Sequence, residues 1–271
     1  FGDIFDRVCN ISKIFLRCKK EVIGEDVLLN VSCLCQQQQD FDLQSWNPAI
    51  LQMFSYLGRY EFSPDRDHVL VDLTRFTGLT YLVLHNLNCE LYLPQSGSLS
   101  VLIVLSVTLA SNCCDALGST LTHCTKLEKL KIYHTNLQNC LLDLSNMTEL
   151  TNLDMHGVSL SSRCCDVLGR SLTHCTKLEI LSIHNTNLHN CLLDLTNMTE
   201  LTDLDVSEVI LSSCCYDVLG RTLTHCTKLK RYKIHNTNLN NCLLDLFNMK
   251  KLSYLDLSEV TLSSSCCDVL G

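Results

Sequence analysis

The chain has 271 residues, 46% of them hydrophobic, enough to bury a sizeable core and long enough for two domains or one repeat array. With only 3 Pro and 10 Gly it is not collagen-like, linker-like or low-complexity. The net charge of -8 argues against a nucleic-acid binder that works by bulk positive charge, and the longest apolar run, 99–110, falls short of the ~20 residues a membrane helix needs.

The first 72 residues read as a small helical block. Ile4, Phe5, Val8, Ile11, Ile14 and Phe15 recur at helical spacing, as do Val27, Leu28, Val31 and Leu34. Asn47-Pro48 marks a break, and Ile50, Leu51 and Phe54 open another apolar face. The block (1–72) is expected to cap the array that follows (73–271). The first residue is Phe1, and no basic start with an apolar stretch reads as a signal peptide, so the chain is taken as a fragment of something longer.

From Leu79 onward the sequence is periodic. Leu-Thr-His-Cys-Thr-Lys-Leu starts at 121, 172 and 223, a period of 51 residues, and a fixed period is the signature of a stacked array. Each unit divides into turns of 23 and 28 residues opening at Leu127, Leu150, Leu178, Leu201, Leu229 and Leu252; Leu79 and Leu99 open two earlier turns, which makes eight. The turns follow L-x-x-L-x-L-x-x-x-x-L, as in Leu127, Leu130, Ile132 and Leu137. Alternation over its first half makes a strand with Leu, Ile and Val pointing inward. In the 28-residue turns Ser161 and Ser162 are candidate helix caps, and Val167, Leu168 and Leu172 follow at helical spacing. One strand and one helix cannot bury their apolar faces alone, whereas stacked turns bury them against each other. Helices are wider than strands, so the strands should line the concave side.

These motifs resemble the leucine-rich repeat family over Leu79–Gly271. The turns carrying Ser-Ser-x-Cys-Cys-Asp-Val-Leu-Gly look like the strand–helix repeats of ribonuclease-inhibitor-like arrays, and of the C-terminal region of NACHT-LRR (NOD-like) cytosolic receptors. The stretch Val27–Asp40 is similar to the last helical subdomain before the repeats in those receptors. The resemblance implies an α/β solenoid, with a curved parallel sheet on the concave side and helices on the convex side, that binds proteins. The family usually has Asn or Cys at the ninth motif position. Here that position holds Thr135, Thr186 and Thr237 in one class of turn and Val107, Val158, Val209 and Val260 in the other. Thr can hydrogen-bond the backbone and Val cannot, so the ladder under the strands is in question in alternate turns.

Catalytic and cofactor chemistry finds no foothold. The phosphate-cradling pattern G-x-x-x-x-G-K-[ST] is absent, and no Ser-His-Asp or Cys-His arrangement stands out. The pairs His123-Cys124, His174-Cys175 and His225-Cys226 recur every second turn, roughly 10 Å apart, which is too far to share a metal or to form a disulfide. The 19 Cys therefore read as free thiols, most of them small buried hydrophobes, and point to a reducing, cytoplasmic compartment. The sequons at Asn10, Asn30, Asn146 and Asn197 would matter only in a secreted protein. No enzyme activity, cofactor, metal or membrane association is expected.

The repeats differ from one another most where strands face outward. Units 121–171 and 172–222 differ at 14 of 51 positions, and seven of those fall among eight concave ones: Lys129, Lys131, Tyr133, His134, Asn152, Asp154, His156 and Gly157 against Ile180, Ser182, His184, Asn185, Asp203, Asp205, Ser207 and Glu208. The third unit changes three of the eight, to Arg231, Lys233 and Tyr254, and keeps His235 and Asp256. Convex positions such as Thr122 and Lys126 recur unchanged. Earlier turns present an apolar patch of Tyr81, Val83, Val101, Ile103 and Leu105. These residues form the expected partner-binding face. Alternation of charge between neighbouring strands is also what structural neutralisation would give.

The expected function is non-enzymatic binding, as the ligand-sensing and autoinhibitory arm of a NACHT-like innate immune receptor. A protein ligand or the parent's own domains would occupy the concave face, and the uncapped C-terminal end would allow self-association. The alternatives are a stand-alone interaction or inhibitor protein, a ubiquitin-ligase substrate adaptor and an extracellular recognition domain.

Overall fold

The computed structural model describes residues 13–18, 29–33, 69–72, 80–85, 88–92, 97–109, 117–118, 121–239, 245–246 and 248–262. The strands in chain order begin with β1 (Lys13–Cys18), β2 (Leu29–Cys33), β3 (Val69–Asp72), β4 (Tyr81–His85), β5 (Asn88–Tyr92), β6 (Val101–Leu105) and β7 (Thr108–Leu109). They continue with β8 (Lys129–Tyr133), β9 (Asn152–His156), β10 (Ile180–His184), β11 (Asp203–Asp205), β12 (Arg231–Lys233), β13 (Asn238–Leu239), β14 (Tyr254–Asp256) and β15 (Thr261–Leu262). Two helices are described, α1 (Ser162–Leu172) and α2 (Ser213–Leu223).

The eight turns read from the sequence each contribute one strand to a single sheet, in the order β4, β6, β8, β9, β10, β11, β12, β14, with every neighbour parallel. Equal spacing within each motif fixes the register. Leu82, Leu102, Leu130, Leu153, Leu181 and Leu204 stack as one buried column, and Ile132, Met155 and Ile183 as the next. The alternation of buried and half-buried residues along β9 and β10 is the period of two that the motif demands.

The helical reading of 1–72 is corrected where that block is described. Residues 13–18 form a strand that runs parallel to β4, from Lys13↔Tyr81 to Arg17↔His85, and residues 29–33 add an antiparallel strand beyond it. Residues 69–72 pair with β5. Apolar runs this short carry no decisive period, and an open sheet edge rewards an extended chain with a full ladder of backbone hydrogen bonds. The likeness of Val27–Asp40 to a helical subdomain fails at Leu29–Cys33 for the same reason. The other positions of that block lie outside the described residues.

The convex side alternates in construction. The 28-residue turns at 150–177 and 201–228 carry α1 and α2. Ser161 caps α1, its hydroxyl accepting from the Cys164 N–H at 3.4 Å, and Cys164, Cys165, Leu168 and Leu172 form the buried face. A Cβ on Gly169 would sit 2.8 Å from the Leu192 carbonyl oxygen, so this glycine lets the helix lie directly on the next turn's backbone. The 23-residue turn at 127–149 is too short for a helix and crosses as extended chain, burying Cys140, Leu142, Leu144 and Met147. Asp143 closes its corner by accepting from the Ser145 hydroxyl and from the Ser145 N–H at 3.0 Å, and these hydrogen bonds, the hydroxyl's first, hold the carboxyl below the usual carboxylate range.

The ninth-position ladder is kept by sharing. Thr186 is buried; its hydroxyl donates to the His184 carbonyl at 3.0 Å and accepts from the Val158 N–H of the preceding turn at 3.3 Å. Thr135 does the same for Val107, at 2.9 and 3.4 Å. In these two pairs the Thr turn serves the Val turn before it, so two turns act as one structural unit, in step with the 51-residue period of the sequence. The whole is an α/β leucine-rich-repeat solenoid.

Candidate functional site: the concave face

Strand alternation commits the odd positions of each strand to the concave surface, and the parallel register sorts them into rows. The first row is Tyr81, Val101, Lys129, Asn152, Ile180, Asp203, Arg231 and Tyr254. The second is Val83, Ile103, Lys131, Asp154, Ser182, Asp205, Lys233 and Asp256. The third brings Tyr133, His156 and His184 side by side. Tyr81, Val101 and Ile103 are half-buried at the start of the face; Lys129, Arg231 and Tyr254 are exposed. The Val83 side chain lies outside what is described.

Charges along the rows are matched laterally. Lys131 Nζ lies 3.7 Å from Asp154, Lys233 Nζ lies 3.7 Å from Asp205, and the Arg231 guanidinium donates to the Asp203 carboxylate. Lys233 also stands 5.9 Å from the centre of the Tyr254 ring. Structural neutralisation is therefore real for these pairs. They are more than a third exposed on the cationic side, apart from Lys131, so each contributes only a few tenths of a kcal/mol to about 1 kcal/mol. Tyr133 donates its phenol proton to Asp154, and burial together with this acceptor pushes the phenol up. Hydrogen bonds from the Ser258 hydroxyl and N–H hold the Asp256 carboxyl down.

Ser207 does not face out as the alternation requires. β11 ends at Asp205, the chain turns, and the Ser207 side chain is buried with its hydroxyl accepting from the His235 N–H at 3.2 Å. Sequence reasoning also missed a column of left-handed backbone beside the strands. Ser106, His134, Asn185, Glu208, Asn236 and Glu259 have φ of 49° to 57°, and Gly157 has 59°. The signal was present, since these residues all stand seven places after the leucine that opens their turn.

Three imidazoles meet where the third row joins this column. His156 Nδ1 and His184 Nδ1 are 2.7 Å apart, and the His134 ring meets His156 edge-on with centres 4.7 Å apart. Burial, then the neighbouring imidazoles of His184 and His134, lower the His156 pKa, against the opposing pull of Glu208 and Asp154. Beside them a polar cleft of about 420 Å³ is lined by His134, Gln138, Gly157, Ser159, Asn185 and Asn187, with Val158 and Leu160. Among the described residues no group of three His, Cys, Asp or Glu donors is placed to hold a metal ion, and no helix is long and apolar enough to cross a membrane. None of the described cysteines at 124, 140, 164, 165, 175, 191, 214, 215 and 226 is in a disulfide, and among them only Cys214 is exposed.

No family model and no curated protein matches the sequence. Among solved structures the fold is similar to an internalin, InlF, of Listeria monocytogenes, at 18% identity and a TM-score of 0.49 over 76% of this chain and 55% of that one. It is similar to the functional domain of InlJ from the same bacterium, at 19% identity and a TM-score of 0.41 over 71% of this chain and 42% of that one. The leucine-rich repeat domain of the type III effector XopL is similar at 15% identity and a TM-score of 0.39, over 80% and 78% of the two chains. The chain spans 55% and 42% of the lengths of the two internalin chains.

Proposed function

We propose that this chain is a non-enzymatic protein-binding module whose partner docks on the concave face. The observation that carries the reading is the contrast between a repeated scaffold and a surface that changes from turn to turn. Apart from Tyr232, the inward columns are Leu, Ile, Val or Met, whereas the outward rows run from valine and isoleucine through lysine and aspartate to arginine and tyrosine. Repeat scaffolds use that freedom to write a binding surface on a constant frame. The site comprises Tyr81, Val83, Val101 and Ile103 as its apolar beginning, and the charged and histidine rows from Lys129 to Asp256 as its body.

Two finer readings rest on less. The alternation of helical and extended turns in a 51-residue unit supports an arm of a NACHT-like cytosolic receptor, with cytoplasmic placement supported by free buried thiols. A stand-alone interaction protein needs only the solenoid itself. The extracellular alternative draws nothing from two of the sequons, because the Asn146 and Asn197 amides donate to the Thr122 and Thr173 carbonyls and so have a structural use.

The experiment compares two triple variants with a photo-crosslinker at Ser182, followed by identification and purification of the captured protein. Tyr133→Ala, His184→Ala and Arg231→Ala together are expected to weaken that partner by at least about tenfold in Kd, since central Tyr and Arg anchors are each worth ~2 kcal/mol or more. Thr122→Ala, Lys126→Ala and Thr173→Ala on the convex side are expected to leave it unchanged. The reverse pattern would place the binding surface on the other side.

A further inference from the structure

The contact between His156 and His184 has a protonation rule built into it. Two Nδ1 atoms at 2.7 Å must have one proton between them: one ring donates Nδ1–H, and the other accepts with its bare Nδ1. The neutral pair therefore combines one ring protonated on Nδ1 with one protonated on Nε2. A first added proton is tolerated, because imidazolium donating to imidazole is a charge-assisted hydrogen bond. A second is not, because two Nδ1–H groups would then point at each other. His134, edge-on to His156, adds a third ring whose charge would oppose both.

The surroundings are weighed as follows. From β9, Asp154 favours protonation of His156, but it is already engaged by the Tyr133 hydroxyl and Lys131 of β8. From the turn after β11, Glu208 also favours protonation. Asp205 of β11 is paired with Lys233 of β12, and His235 follows two residues after Lys233 in the same turn. Burial and the two neighbouring imidazoles outweigh the carboxylates, so the fold prefers His156 neutral.

We propose that His134, His156 and His184 form a proton-operated switch in the concave face: locked together near neutral pH, and cationic and driven apart in mild acid. The switch changes both the charge and the contour of the middle of the face across the range in which unperturbed imidazoles titrate, about pH 5–8. It rests on the reading of the concave face as the binding face, and regulates what that face presents. The αL backbone at His134 and the cleft beside it give the displaced ring somewhere to go.

The sign follows from linkage. A histidine that the fold holds neutral binds protons more weakly than in the unfolded chain. Its contribution is fully present above the unfolded-state value of about 6.5 and is lost as pH falls through and below it. Imidazole NMR of the full chain is expected to show His156 titrating over a wider range than a one-site curve, with His184→Gln moving its midpoint up. The urea midpoint is expected to fall between about pH 7.5 and about pH 5.5, and the fall should shrink in His156→Gln and persist in His235→Gln. A one-site curve for His156, unaffected by His184→Gln, would overturn the switch, as would an equal acid loss in His156→Gln. If a variant does not fold, the titration of the unmodified chain decides. No partner is used, so failure here leaves the concave-face reading standing, and failure of the crosslinking experiment leaves the switch standing.

Discussion

At the scale of single residues, the substitution of Thr for the usual side chain at the ninth position decides how turns are tied together. Thr186 spans two turns with one hydroxyl, and valine has the same shape without it. Thr186→Val should leave the His184 carbonyl and the Val158 N–H without that partner, in a buried place where an orphaned group costs about 1–3 kcal/mol. The measurement is a thermal or urea melt; a variant as stable as the original would mean that the hydroxyl contributes nothing. Cysteine chemistry is resolved at the same scale. Burial pushes the thiols of Cys124 and Cys165 up to about 11, and those of Cys175 and Cys226 up to about 12. Cys214 is different: it occupies the exposed first turn of α2, and the Ser212 hydroxyl lowers its pKa. Its counterpart one period earlier is Arg163, so no other described turn repeats this thiol. Brief treatment of the folded protein with iodoacetamide, followed by peptide mapping, should label Cys214 well ahead of the other described cysteines. Equal labelling of Cys191 would contradict the burial.

At the scale of elements, close packing explains what the motif alone does not. Gly169 sits in the middle of α1, where alanine is ordinarily the better helix former by ~1 kcal/mol. Gly169→Ala should nevertheless destabilise, by about 1–3 kcal/mol, because its Cβ would press on backbone atoms that cannot rotate away. A stability gain on calorimetry would show that the two turns can separate without loss. The left-handed column gives the opposite sign. Glu259 holds φ of 57°, a conformation that asparagine tolerates better than glutamate, so Glu259→Asn should raise stability by a few tenths of a kcal/mol to about 1 kcal/mol. The strands, their register and the alternation of inward and outward residues were legible in the sequence because one period of two, repeated at fixed offsets, determines all three. The N-terminal strands were not: Ile14, Phe15 and Leu16 suit a helix or a strand equally, and pairing with a distant β4 settles the matter. The candidate rows could be written down from the motif, but the meeting of His134 with His156 could not. His156 and His184 share one offset, whereas His134 belongs to the next and reaches across through the left-handed turn.

At the scale of the whole molecule, burial of the inward column is not uniform along the array. Leu255 belongs to that column, yet it is 42% exposed where Leu204 and Leu153 are 1% and 0%. Tyr254 beside it is 46% exposed. A charge placed in the column should therefore cost very different amounts at its two positions. Leu204→Asp would bury a carboxylate without a partner and should unfold its turn. Leu255→Asp should leave the circular dichroism spectrum unchanged and lower the urea midpoint far less, because Leu255 is already half open to water. Equal losses in the two variants would mean that Leu255 is packed as closely as Leu204.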